Sequence, residues 1–297
     1  MVVATGFFDG VHLGHRLVLG QLVAAAKERN TSSTVVTFWP HPRTVLQDGA
    51  RDLRLLTTLE EKKTLLREIG IDRVEIVPFT RAFSRMSTEQ YLRDFLIGRL
   101  GAKTLLLGYD NRIGHDAGSP DQIQAVAEGL GLEVIRTDRL DLPGDLTVSS
   151  TKIRHALEAG DIPLATRMLG YRYSLLGVVV AGNRLGRKMG FPTANMQLYE
   201  PLKLIPGNGV YHVEVETLGE KFNGMCNIGV RPTVGQGNAK TVETHIFGFD
   251  QDIYGLDIRV TFLEKIRDER RFGSLEELAA QLAADRDRCL ALQAAGK

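Results

Sequence analysis

The stretch Thr5-Gly6-Phe7-Phe8-Asp9-Gly10-Val11-His12-Leu13-Gly14-His15 decides how this chain begins to fold. The run Val2 to Phe8, broken only by Gly6, is apolar and reads as a buried strand. Phe8-Asp9-Gly10 closes it in a turn, and a helical pattern starts near His15 and continues to about Arg29. A strand turning sharply into a helix gathers unpaired backbone N–H groups and the positive end of a helix dipole at one spot. Phosphate is attracted there. His12 and His15, three residues apart, can face the same way towards a bound anion. Gly6, Gly10 and Gly14 let the backbone come close to it. These features describe a site for a nucleoside triphosphate. Zinc is the competing ligand for two histidines, but no third and fourth ligand stand nearby at the usual spacing.

Beyond this stretch, apolar strands alternate with helical patterns up to about residue 170. Thr34 to Trp39, Arg73 to Phe79, Lys103 to Gly108 and Leu132 to Arg136 read as strands. Leu59 to Ile69, Thr88 to Leu100, Asp121 to Leu130 and Lys152 to Ala159 read as helices. Such alternation predicts a parallel α/β sheet with helices on both faces, and ligands collect at the carboxyl ends of its strands. Gly10 to His15, Pro40 to Pro42 and Gly108 to Gly118 all follow strands and should line one crevice. After Gly170 the pattern changes. Tyr173 to Val180, Gly209 to Glu216, Phe222 to Ile228, Thr241 to Phe249 and Leu256 to Leu263 are strand-like, with Gly, Pro and Asn between them. Strands without intervening helices predict an antiparallel barrel or sandwich. Ser274 to Leu292 completes it as an amphipathic helix with Ser274 as N-cap. The expected domains are therefore residues 1–170 and 171–297.

The opening combination resembles the HxGH nucleotidyltransferases, and more closely the bacterial bifunctional riboflavin kinase/FAD synthetases. Further segments carry the resemblance in order along nearly the whole chain. Phe38-Trp39-Pro40-His41-Pro42 is similar to that family's PHP segment. Val148-Ser149-Ser150-Thr151-Lys152-Ile153-Arg154 is similar to its SSTxxR motif, Gly190-Phe191-Pro192-Thr193-Ala194-Asn195 to its GxPTAN motif and Asn227-Ile228-Gly229-Val230-Arg231-Pro232-Thr233 to its NIGxRPT turn. The resemblance implies a Rossmann-like nucleotidyltransferase domain followed by a β-barrel flavokinase domain. The implied activity converts riboflavin and ATP to FMN and ADP, then FMN and ATP to FAD and pyrophosphate.

Ser149-Ser150-Thr151 stands just before a helix, where it serves as a cap or, with Lys152 and Arg154, as a triphosphate cradle. The resemblance places the β- and γ-phosphates there, with Arg154 facing the developing charge. In adenylyl transfer the phosphate of FMN is already an anionic nucleophile, so no general base is needed. Fixed donors and Mg²⁺ must meet the charge on the α-phosphoryl oxygens. The resemblance gives that task to His12 and His15, beside backbone N–H groups around Gly6, Phe7 and Phe8, with Asp9, Gly10 and His41 near the nucleotide. Gly108-Tyr109-Asp110-Asn111-Arg112-Ile113-Gly114 departs from the family's segment at Asn111 and Ile113, leaving Asp110 as a polar contact.

In the second half, Gly182 to Gly190 is a basic glycine-rich loop, by itself a hairpin. Its continuation into the GxPTAN-like segment assigns Gly182, Gly186, Arg187 and Gly190 to nucleotide phosphates. Thr193 and Asn195 offer hard oxygen ligands on one short turn, suited to Mg²⁺. Glu243 lies in a strand and reads as an exposed alternate residue. In the resemblance it is the base that takes the proton from the 5′-hydroxyl of riboflavin. Asn227 and Arg267 fall in family segments near the nucleotide or flavin, where Arg267 has a purely structural alternative.

At 297 residues two domains are the natural expectation. With 43% hydrophobic and 25% charged residues, the composition is that of a globular protein. Thirty-seven basic residues nearly cancel 36 acidic ones, which gives no bulk charge for a nucleic-acid partner. No apolar run reaches the ~18 residues of a membrane span, no export signal is visible, and nothing indicates an obligate protein partner. Cys226 and Cys289, the two cysteines, read as free thiols in the cytoplasm. Three functions compete: a bifunctional enzyme, a chain in which only the kinase works, and a flavin- or nucleotide-binding regulator without catalysis.

Overall fold

Successive residues of the first strand, β1 (Val2–Thr5), point to opposite faces of a sheet, and each face finds its own core. Val2 and Ala4 pack with Leu19, Leu22, Val35 and Leu106. Val3 packs with Val36, Tyr91, Phe95 and Leu105. The computed structural model describes residues 1–46, 53–108, 111–137, 147–182, 186, 189–232 and 238–295; Asp110 and Arg187 lie outside these. The chain divides into two compact units, Met1–Ser150 and Thr151–Lys297.

The first unit holds a parallel sheet in the order β3-β2-β1-β4-β5, with β2 (Ser33–Trp39), β3 (Arg73–Pro78), β4 (Thr104–Leu107) and β5 (Glu133–Arg136). The chain travels outward from β1 to β3 and returns to β4 on the other side. The crevice at the carboxyl ends of β1 and β4 is thus the topological switch point, where ligands bind in such sheets. Helices α1 (Leu13–Glu28) and α3 (Leu59–Glu68) contribute to the core on one face. On the other lie α5 (Pro120–Gly129) and α4 (Thr88–Gln90), which runs on as a widened π-type helix over Tyr91–Arg99. A short α2 (Pro42–Leu46) follows β2.

β1 is shorter than its apolar run. Gly6 N–H still bonds Val36 O, but Phe8 then takes a left-handed conformation (φ 50°) and the chain leaves the sheet. Val11 (φ 37°) is left-handed as well, an uncommon state for a β-branched residue. Two such residues cost about 1–3 kcal/mol each and persist only where the surroundings fix them.

In the second unit, α6 (Ser150–Ala159, from Thr151 on) and α7 (Ile162–Leu169) precede a closed antiparallel barrel in the order β10-β7-β6-β11-β8-β9. Its strands are β6 (Ser174–Val180), β7 (Ala194–Leu198), β8 (Gly209–Thr217), β9 (Glu220–Pro232), β10 (Asn238–Ile246) and β11 (Asp257–Arg267). Tyr211, Val213, Cys226, Ile228, Val242 and Phe262 are buried. The C-terminal helix (Leu275–Ala295) contributes Cys289 to a separate cluster with Phe191, Val210, Met225 and Ile266. Ser274 caps it, its Oγ accepting Glu277 N–H at 3.1 Å. Among the described residues no helix is long and apolar enough to cross a membrane.

Candidate active sites

At the switch point, His12 is the N-cap of α1, and its Nδ1 accepts the N–H of His15 at 3.3 Å. That bond leaves Nε2 to carry the proton of the neutral ring. The two imidazoles stack with centroids 3.6 Å apart and planes 15° apart, and Phe8 meets His15 edge-on at 5.3 Å. His15 Nδ1 is buried without a hydrogen-bond partner among the described residues. Burial first, then His12 and Lys62, holds the His15 imidazole well below its ordinary range, so it stays neutral near pH 7. A neutral imidazole can still donate one N–H to an anion.

The turn between β1 and α1 is held from beneath. Asp9, 4% exposed, accepts Leu56 N–H at 3.0 Å and Thr57 N–H at 3.1 Å, while Gly10 N–H bonds Thr57 Oγ1 at 3.1 Å. Asp9 thereby shapes the turn through the chain at Leu56–Thr57. Ser150 Oγ donates to Asp9 O at 3.1 Å, which brings Ser150 to the same turn. A Cβ on Gly6 would lie 2.9 Å from the Phe8 ring, so a larger residue there would make that ring shift. The His41 ring stands 4.0 Å from that of Phe7, its Nδ1 accepting Arg43 N–H at 3.0 Å.

The sequence-predicted residues Gly6, Phe7, Phe8, Asp9, Gly10, His12, His15, His41 and Ser150 therefore converge, and half-buried Ser149 adjoins Ser150. Thr151 and Arg154 continue along α6 and belong to the second compact unit.

Three further residues of the first unit carried no binding or catalytic expectation. Asn111 accepts Gly108 N–H at 2.6 Å and donates to Thr5 O at 3.1 Å, bridging the ends of β4 and β1. Ile113 is buried in the core and offers no open stacking face. Lys62, 0% exposed, donates to Phe7 O at 2.7 Å and lies 3.7 Å over the Phe7 ring. Its available signal was spacing: Lys62 and Leu66, four residues apart, are the two buried positions of α3.

In the barrel, Glu243 of β10 pairs with Asn195 of β7 on one side and Asn227 of β9 on the other. Directly paired residues share a face, so three polar side chains stand in a row across three strands. Asn195 is a strand residue, which corrects the expected single turn with Thr193: the turn ends at Thr193, and pairing with β6 and β10 extends the chain from Ala194. A Cβ on Gly182 would fall 2.2 Å from Asn195 Nδ2, so that backbone closes directly over the row. Gly186 O accepts the N–H groups of Met189 and Phe191, folding the loop tightly, and Gly190 follows with φ 81°. His245 Nδ1 bonds Pro192 O at 2.8 Å; because a carbonyl only accepts, this nitrogen carries the proton. A cavity of about 740 Å³ opens beside it, lined by Gly190, Pro192, Phe247, Phe249 and Arg286 among others.

Arg267 is engaged elsewhere. Its Nε and Nη2 bond the Asp285 carboxylate at 2.8–3.0 Å, its Nη1 bonds Asp268 O, and Gln281 adds a further bond to Asp285. These bonds tie the C-terminal helix to β11.

Hard oxygen donors at Thr193, Asn195 and Glu243 suit Mg²⁺, and Gly182 leaves the space a side chain would fill. Among the described residues no group of three His, Cys, Asp or Glu side chains forms a metal site.

Two family models match the chain: FAD synthetase over residues 1–152 and riboflavin kinase over residues 169–293. The bifunctional riboflavin kinase/FMN adenylyltransferase of Escherichia coli (strain K12) is 39% identical over 288 residues, covering 96% of this chain and 90% of that protein. Its counterpart in Bacillus subtilis (strain 168) is 35% identical over 296 residues, with 97% and 91% covered. A crystal structure described as a macrolide-efflux protein from Streptococcus pneumoniae has a TM-score of 0.88 at 31% identity, with 96% of this chain and 92% of that one covered. With both models matched in order and relatives similar from end to end, the chain belongs to the family of bifunctional riboflavin kinase/FMN adenylyltransferases.

Proposed function

We propose that the barrel phosphorylates riboflavin to FMN and the parallel-sheet unit adenylylates FMN to FAD, each with its own ATP. The observation that supports this reading is duplication: a stacked histidine pair stands at the switch point of the first unit, and a row of Asn195, Glu243 and Asn227 crosses three strands of the second. Decay to a mere binder would not require both. The boundary we propose for the two activities is the change from helices to strands near residue 170.

In the kinase step Glu243 accepts the proton of the riboflavin 5′-hydroxyl, and the oxygen attacks the γ-phosphate of ATP, releasing ADP. A positioned base is worth ~10²–10⁴-fold in such a step. Thr193 and Asn195 would hold Mg²⁺, which when bound would neutralise phosphate charge. Gly182, Gly186 and Gly190 let the loop approach the phosphates, and Asn227 flanks Glu243. The cavity beside His245 has room for a substrate ring system.

In the adenylyl step a phosphate oxygen of FMN attacks the α-phosphate of ATP and pyrophosphate leaves. His12 and His15 donate to the oxygens on which charge builds, and Ser149, Ser150, Thr151 and Arg154 receive the departing phosphates. Both reactions belong to the cytoplasm, where ATP is supplied. Incubation with riboflavin, ATP and Mg²⁺, followed by chromatographic separation, should give FMN first and FAD second. FMN without FAD would leave only the kinase, and neither product would leave a binding protein.

A further inference from the structure

We propose that Lys62 is a positioning residue for adenylyl transfer, its buried ammonium gripping the Phe7 carbonyl so that the Phe7–Phe8 peptide presents a fixed, polarised N–H to the nucleotide. The inference rests on the first unit being the adenylyl-transfer site.

Geometry supplies the argument. A lysine with no solvent exposure is uncommon, because burying an ammonium costs free energy unless its surroundings compensate. The hydrogen bonds of Lys62 go to Phe7 O at 2.7 Å and, more weakly, to Thr37 Oγ1 at 3.5 Å, with the Phe7 ring 3.7 Å away. All three groups lie at the carboxyl ends of β1 and β2 or on the turn that follows. Thr37 Oγ1 also donates to Phe7 O, at 3.2 Å, so this one carbonyl is held by two donors. The N–H groups of Phe7 and Phe8 have no acceptor among the described residues. Carbonyl and N–H of the 7–8 link belong to one resonance-coupled amide. A cation on the oxygen draws electron density from the nitrogen and strengthens the N–H as a donor. Donors fixed in advance are what a transition state with growing phosphoryl charge requires.

The surrounding charges agree. Asp9 on the turn favours the charged form of Lys62, whereas burial, the larger effect, pushes its amine down to about 8. His15 of α1, kept neutral chiefly by burial and then by His12, also feels Lys62 as a neighbouring positive charge. On α3 itself, Glu61 bonds Thr58 N–H and Lys63 bonds Glu60; β2 presents uncharged Thr37.

The test uses the full chain and measures FAD formation from FMN and MgATP between pH 6.5 and 9.5, with FMN formation from riboflavin on the same sample as control. kcat/KM reports the free enzyme. Wild-type FAD formation should fall above about pH 8 as the ammonium loses its proton. Lys62→Met should lower it roughly tenfold or more at pH 7 and abolish that alkaline fall, with FMN formation unchanged; direct removal of a donor costs ~10²–10³-fold. Lys62→Arg should restore activity and keep it at high pH. Normal FAD formation by Lys62→Met would overturn the proposal. So would a wild-type profile flat to pH 9.5, which needs no variant to fold. Absence of FAD formation from the wild type at every pH would overturn the site reading itself.

Discussion

In the proposed adenylyl-transfer site each imidazole of the stacked pair is assigned one donor, and the His12 Nδ1 is already engaged by the helix start. His12→Ala and His15→Ala should each lower FAD formation roughly 10²–10³-fold, the usual effect of removing a donor aimed at a transition state. FMN formation, assayed in parallel, should stay near wild type, and unchanged FAD synthesis in the double variant would remove the assignment. Glu243→Gln keeps shape and hydrogen bonding but cannot take a proton. FMN formation should fall by about 10²–10⁴-fold while FAD formation from supplied FMN persists. A variant that phosphorylates riboflavin at the normal rate would make Glu243 a plain strand residue. At this scale the sequence was only partly legible. The two histidines were conspicuous beside glycines, whereas Lys62 looked like one more charge on a charged helix. Its burial follows from the packing of α3 under the turn, a tertiary fact no local pattern carries.

Among the elements, the C-terminal helix is anchored to β11 by a largely buried ion pair. Asp285 is 2% exposed and faces a guanidinium with 19% of its side chain exposed. Asp285→Ala would leave Arg267 largely buried without its partner, at a cost of about 3 kcal/mol. Urea unfolding should show that loss, and Arg267→Met added to Asp285→Leu should recover part of it by removing both charges. If Asp285→Ala is as stable as wild type, the helix is held by its apolar cluster with Phe191 and Met225 and by the Arg288 bond to Ile266 O instead. The helix itself was legible from Ser274 and the acidic turn after it. So were the five parallel strands, whose β-branched runs alternate with helical spacing. β7 was not, because Ala194-Asn195-Met196-Gln197-Leu198 has no β-branched residue, and only its neighbours β6 and β10 make it a strand. α7 was missed as well; Pro163 in its first turn and Gly170 at its end suit the ends of a helix of only eight residues.

For the whole molecule, the kinase activity should survive separation from the first unit. The expected cut at residue 171 removes α6 and α7, yet Gly207 N–H bonds Leu157 O and α7 packs on β11. A fragment from Thr151 onward should convert riboflavin to FMN at close to the rate of the intact chain. One starting at Tyr171 should be less stable to heat, having uncovered the face that Ile162, Ala165 and Leu169 bury. A folded Thr151 fragment without kinase activity would count against independent sites. The order of the parallel sheet has one more consequence, in time rather than in space. Its central strand precedes both of its partners in the chain, and Val2 must wait for Thr104 before both edges of β1 are paired. At ~5–20 residues per second on the ribosome, that delay is on the order of 5–20 s. Throughout it, one apolar edge of the nascent chain stays open to wrong partners, and the turn that carries His12 and His15 cannot take its final shape before the chain has grown well past Thr57.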